Sequence, residues 1–182
     1  MPKAGLNLAV LGFFVSSLFG CSSSDQALTD TLVVGEGIPD IQLATFDGGQ
    51  ASLAAYRGKL VVLNLWATWC EPCRREMPAL QALSDALDPE RFAVLGLSVD
   101  DDAHVVREFL LERKIRFTNY LDPGGVQASG ELGIQLYPYT LLIAPDGRLI
   151  QRVPGAREWH RDEVVALLQQ AFAGDYSGLQ VE

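Results

Sequence analysis

Three cysteines, two histidines and two methionines are few for a chain of 182 residues, and they leave little soft ligand for a metal centre. Basic charge is also scarce. Fourteen Lys and Arg stand against 23 Asp and Glu, giving a net charge of −9 with no basic cluster. That balance lacks the electrostatic footprint of a nucleic-acid binder and excludes that class. There is no internal repeat, and no low-complexity tract beyond Ser22–Ser24. The remaining composition is ordinary for one globular domain with a core of ordinary size.

What is present concentrates around Cys70 and Cys73. Val61, Val62, Leu63 and Leu65 form a short, β-branched and aliphatic run that reads as a fully buried strand. It empties into Trp66-Ala67-Thr68-Trp69, then Cys70-Glu71-Pro72-Cys73, then a helix-period segment. The cysteines therefore sit at a strand-to-helix junction, at or just inside the first turn. Unpaired N–H groups and the positive end of the helix dipole favour an anion there, so the first thiolate forms more easily. Three positions on, the second cysteine is close enough to close a reversible disulfide. A purely structural bridge is the alternative, but a four-residue loop constrains little chain entropy.

Residues 1–20 read as a targeting segment. Lys3 supplies a positive start, and Leu6–Phe19 is an apolar stretch too short for a comfortable membrane span. Leu18-Phe19-Gly20-Cys21 resembles the lipobox of bacterial lipoproteins, which implies cleavage before Cys21 and lipidation of its thiol. An uncleaved anchor or ordinary secretion is the alternative. Ser22 after the modified cysteine points to the outer membrane under the sorting habits of such lipoproteins. Residues 21–32 are polar and unpatterned, as a tether would be.

The domain is expected over residues 33–174, followed by a C-terminal tail at 175–182. Ile41–Phe46 alternates like a half-buried strand, Asp47-Gly48-Gly49 is a turn, and Gln50–Leu53 returns as its partner. Ala54–Gly58 reads as a short helical link. Met77, Leu80, Leu83 and Leu87 share one face of the helix after the cysteines, with Pro78 set to kink it. Arg91–Val99 reads as a second buried strand. Asp100-Asp101-Asp102 offers an N-cap for a helix to Lys114, with Val105, Val106, Phe109 and Leu110 facing inward. A metal site at those aspartates is the alternative. Ile115–Tyr120 is a short extended piece and Ser129–Ile134 a brief helix. Leu141–Ala144 is a strand, Pro145–Arg148 a hairpin turn into Leu149–Val153, and a last helix runs over about Trp159–Phe172, burying Val164, Leu167, Leu168 and Phe172. Strands alternating with helices, then a closing hairpin and helix, imply an α/β protein with a mixed sheet covered on both faces.

WATWCEPC after a buried strand, Pro78 eight residues past Cys70 and YPYTLLIAPDGRLI downstream resemble the thioredoxin superfamily, and within it the extracytoplasmic TlpA/ResA-like proteins. The resemblance spans nearly all of Val33–Phe172. It implies a thioredoxin-like three-layer fold with a central mixed β-sheet, an N-terminal β-hairpin extension and an inserted helix and strand at about Ala103–Tyr120. It also implies roles. Cys70 would be the exposed nucleophile and Cys73 the more buried resolving thiol. Pro138 would be a cis-proline facing them, leaving the Tyr137 backbone free to pair with an extended substrate. Trp69 and Pro72 would complete the substrate rim. Asn64 stands where general thioredoxins place an ionisable aspartate. Glu76, six residues after Cys70, matches the acid that ResA-like proteins set beside the dithiol, where it would accept the proton of Cys73. The alternatives are a solvated helix glutamate at 76 and a trans turn proline at 138.

The implied activity is a membrane-anchored thiol–disulfide oxidoreductase reducing protein disulfides in the cell envelope, with cytochrome c maturation as one task. It implies no cofactor, a thiol donor of the DsbD/CcdA type and, with no dimerisation segment visible, a monomer. Two other classes compete. A peroxiredoxin-like thiol peroxidase usually carries Pro-x-x-x-Thr-x-x-Cys, which Thr68-Trp69-Cys70 does not supply. A copper-binding chaperone would have only Cys70, Cys73, Met77 and the distant His104 and His160 to bind with. Both histidines read as surface residues, and Tyr56, Trp66 and Phe109 as core.

Overall fold

The computed structural model of the protein describes Met1 and residues 32–179. The expected targeting segment, Cys21 and the tether through Thr31 lie outside the described residues, as do 180–182.

Seven strands, in chain order, are β1 (Gln42–Ala44), β2 (Gln50–Ser52), β3 (Leu60–Trp66), β4 (Phe92–Ser98), β5 (Thr118–Leu121), β6 (Tyr139–Ile143) and β7 (Leu149–Pro154). They form one sheet in the order β2-β1-β5-β4-β3-β6-β7. β4 runs parallel to β3 and β5, whereas β6 is antiparallel to β3 and β7, so the sheet is mixed as expected. The helices are α1 (Glu71–Ala86), α2 (Ala103–Glu112) and α3 (Asp162–Phe172).

β3 is the centre. All seven of its residues are buried, and successive side chains of a strand point to opposite faces, so both faces of the sheet are covered there. α1 packs on β4 and α3 on β3. α2 is anchored by Phe109, whose ring tilts against Trp66 with centroids 5.3 Å apart. The Trp66 indole N–H donates to Asn119 Oδ1 at 3.0 Å, so the inserted β5 is fastened to the central strand by a buried hydrogen bond. Gly96 on the intervening β4 makes room for it, since a Cβ there would lie 1.9 Å from that oxygen.

The N-terminal hairpin β1–β2 joins the sheet through β1 and β5, paired at Ala44 and Leu121. The expected α2–β5 insertion is also in place. Several details differ from the sequence reading. Trp66 belongs to the strand and not to the loop after it. Val105 is exposed and does not face inward: α2 buries Val106 and Phe109 and packs the half-buried Ala103 and Leu110 against the core, and Val105 lies off that face. The brief helix expected at 129–134 is a π-helical turn at Val126–Glu131. The last helix begins at Asp162, three residues later than expected, and buries Leu168 and Ala171 fully while Val164, Leu167 and Phe172 are half-buried. After residue 174 a 3₁₀ turn, Ser177–Leu179, carries a buried Leu179 and sets Gly178 against Leu167.

Candidate active site

Cys70 is the N-cap of α1, in extended conformation (φ −88°, ψ 104°), and its Sγ accepts from the Cys73 backbone N–H at 3.3 Å. That bond, with the positive end of the helix dipole, is the environment in which a thiolate is favoured. Cys70 and Cys73 are disulfide-bonded, with Cα atoms 5.3 Å apart. In this oxidised state both are buried, Cys70 6% and Cys73 1% exposed. Cys70 is thus the more accessible sulfur, but it offers only a corner to solvent.

The loop leading to the cysteines is held from β4. Asp100, just past that strand, is buried, and its carboxylate accepts from the Thr68 backbone N–H (2.9 Å), the Thr68 hydroxyl (2.6 Å) and the Ser98 hydroxyl (2.7 Å). The sequence suggested three aspartates capping a helix. Asp102 alone does that, accepting from the His104 N–H at 2.8 Å, while Asp100 clamps the active-site loop.

Trp69 stands out of the surface at 67% exposure, edge-on to the Tyr137 ring at 6.0 Å. The Tyr137–Pro138 peptide is cis. Pro138 is buried and precedes β6, whose Tyr139 lies opposite Leu65 on β3. Trp69, Tyr137 and Pro138 therefore gather at the carboxyl end of the central strand, the end from which the cysteines emerge. Pro72 is exposed in the first turn of α1. His104 and His160 are both exposed.

Glu76 is not a solvated helix residue. It is 3% exposed, and three donors meet its carboxyl. Oε1 accepts from the Arg157 backbone N–H (2.8 Å) and the Trp159 indole N–H (2.5 Å), and Oε2 from Asn64 Nδ2 (3.2 Å). Asn64 also donates to Thr140 Oγ1 at 2.9 Å. Burial pushes the Glu76 carboxyl above the ordinary glutamate range, and the three donors with the Arg157 charge pull back against it without cancelling it. A buried carboxyl set one turn beyond Cys73 is suited to exchange a proton with that thiol. The charges on the first turns of α1 lie at the surface: Arg74 and Arg75 both pair with Glu71, at 3.5 and 3.0 Å.

Trp159 and Asp100 were missed as site residues. Trp159 carried no local signal, since it sits in a polar stretch and its partner is 83 residues away. Asp100 was legible as a capping residue but not as a clamp, because nothing local separates it from Asp101 and Asp102.

The profile of the AhpC/TSA family matches residues 34–152. The thiol-disulfide oxidoreductase ResA of Geobacillus thermodenitrificans is 31% identical over 150 residues, 82% of either chain. ResA of Bacillus thuringiensis subsp. konkukian is 29% identical over 126 residues, covering 69% of this chain and 72% of that one. Among solved structures, one described as a thiol:disulfide interchange protein DsbE from Chlorobium tepidum superposes with a TM-score of 0.66 at 29% identity, over 78% of this chain and 97% of that one.

Proposed function

Because the chain belongs to the AhpC/TSA family and is a thiol–disulfide oxidoreductase of the TlpA/ResA kind, we propose that it works in the reducing direction on protein disulfides of the cell envelope. The observation that carries this reading is a disulfide at the N-cap of α1 with a buried carboxyl on the same helix. Strong oxidants stabilise their reduced form as a low-pKa thiolate. Here the residues between the cysteines are Glu71 and Pro72, with no histidine, and Glu76 adds negative charge. Arg74 and Arg75 oppose this weakly, being exposed and paired to Glu71.

The Cys70 thiolate attacks a substrate disulfide and forms a mixed disulfide, releasing the substrate's other sulfur as a thiolate. Cys73 then gives its proton to Glu76 and attacks Cys70 Sγ. The bond from Cys70 to the substrate breaks, and the substrate sulfur leaves with the electron pair and takes a proton from solvent. The dithiol has lost two electrons and the substrate disulfide has gained them. Trp69, Pro72, Tyr137 and Pro138 form the platform on which the substrate strand lies, the Tyr137 backbone offering pairing.

In an oxidising envelope the pair must be re-reduced, for which a membrane thiol donor of the DsbD/CcdA type fits. A lipid anchor at Cys21, an outer-membrane location, a monomeric state and a task in cytochrome c maturation belong to the same proposal. Its support is the lipobox-like Leu18–Cys21 and the ResA likeness.

The mechanism is tested by trapping. Cys73→Ser, expressed in cells, should accumulate mixed disulfides through Cys70, and Cys70→Ser should accumulate none and lose all reductase activity. A Cys73→Ser protein that traps nothing would overturn the exchange scheme. Mass spectrometry of the mature N-terminus tests the anchor, and an unmodified Cys21 would remove it.

A further inference from the structure

The carboxyl of Glu76 is held asymmetrically. The two donors on Oε1, an indole nitrogen and a backbone amide, donate only and cannot accept. A proton arriving on Oε1 would have to displace one of them. Oε2 faces the Asn64 amide. Asn64 Oδ1 is the buried side-chain polar atom without a partner among the described residues. A half-turn of that amide exchanges its two ends and brings Oδ1 to accept from a protonated Oε2, with the Thr140 hydroxyl free to reorient. One oxygen of Glu76 is thus fixed as an acceptor, and the other has a neighbour suited to both protonation states.

We propose that Trp159 is a positioning residue of the exchange reaction: its indole N–H fixes Glu76 Oε1 as an acceptor and confines the transferred proton to Oε2, beside Asn64. This rests on the reading of Glu76 as the proton acceptor of Cys73. Trp159 acts through Glu76 and touches no reacting atom. In the resolving step the Cys73 thiol proton passes to Oε2 as the Cys73 sulfur attacks Cys70. The proton then returns to solvent through a cleft of about 840 Å3 that Glu76, Arg157 and Trp159 line together.

The titratable and charged neighbours are few. On α1 itself they are Cys73 and Arg75. β3 and β6 face Glu76 with the neutral Asn64 and Thr140. The loop after β7 brings Arg157, whose charge acts in the same sense as the donors. Arg152, Glu158 and Arg161 border the cleft.

Trp159→Phe keeps an aromatic ring and removes the N–H. With glutamate carboxyls labelled with carbon-13, the Glu76 resonance, assigned by its loss in Glu76→Gln, is titrated in the oxidised protein. It should titrate about one pH unit higher in Trp159→Phe, the size expected for losing one hydrogen bond to a charged group. The pH at which the rate of disulfide reduction changes should move the same way. An unmoved or lowered Glu76 titration overturns the proposal. Glu76→Gln tests the reading beneath it. If that variant leaves the pH profile of reduction unchanged, Glu76 is not the proton acceptor. If it changes the profile and Trp159→Phe does not, the positioning role alone fails. Should Trp159→Phe not fold, 3-benzothienylalanine at position 159 replaces the N–H by sulfur at nearly constant shape, and the same titration applies.

Discussion

At Glu76 burial and hydrogen bonding oppose one another on a single side chain. Burial is the larger effect and raises the carboxyl above its ordinary value. A group whose folded-state pKa is raised contributes stability that is complete below the unfolded value and is lost as pH rises through the folded one. Glutamine does not titrate and escapes that loss; its Oε1 keeps the acceptor that Arg157 and Trp159 use, and its Nε2 finds an acceptor in Asn64 Oδ1 once that amide turns to exchange its ends. Glu76→Gln should therefore gain in melting temperature relative to the parent as the pH is raised from about 4 towards 8, the gain starting near the ordinary glutamate value. A melting-temperature difference independent of pH would contradict this. The spacing from Cys70 to Glu76 was legible in the sequence because both lie on one helix, where six residues fix a geometry. The other half of the environment was not, because Asn64 and Trp159 reach Glu76 from positions 12 and 83 residues away. No local pattern encodes that meeting.

Among the elements, β3 and α1 were the most legible, the first from its unbroken apolar run and the second from one apolar face behind a cysteine N-cap. α1 runs through Pro78 as a single sixteen-residue helix. On α2 the expectation for Val105 fails: it lies one position from Val106, about 100° around the helix, and only Val106 of the two is buried. The loop between β3 and α1 gets its rigidity from outside itself, through Asp100. Asp100→Ala leaves the Thr68 N–H and two hydroxyls without their acceptor at a largely buried position. It should cost about 3 kcal/mol of stability, judged from hydrogen bonds to charged groups. Chemical denaturation checks the loss. A change under about 0.5 kcal/mol, the range of ordinary surface substitutions, would mean that Asp100 is not the clamp described.

On the scale of the whole molecule, a mixed seven-stranded sheet carries its reactive pair at the carboxyl end of its central strand, where sheets of this class place their sites. The hairpin β1–β2 and the α2–β5 insertion widen the sheet on the β4 side, and the loop after β7 closes over Glu76 from the other. No helix among the described residues is long and apolar enough to cross a membrane. The chemistry is thus carried by one dithiol whose direction of use depends on how much its thiolate is stabilised. The helix N-terminus favours the Cys70 thiolate, whereas Glu71, Glu76 and the absence of a histidine between the cysteines work against it. The most direct measurement is the equilibrium reduction potential of the Cys70–Cys73 pair against a glutathione or dithiothreitol buffer. A value near or below about −230 mV, in the range of thioredoxin-like reductants, is the predicted result. A value near about −120 mV, as in strong oxidants, would contradict the account and reverse the flow of electrons.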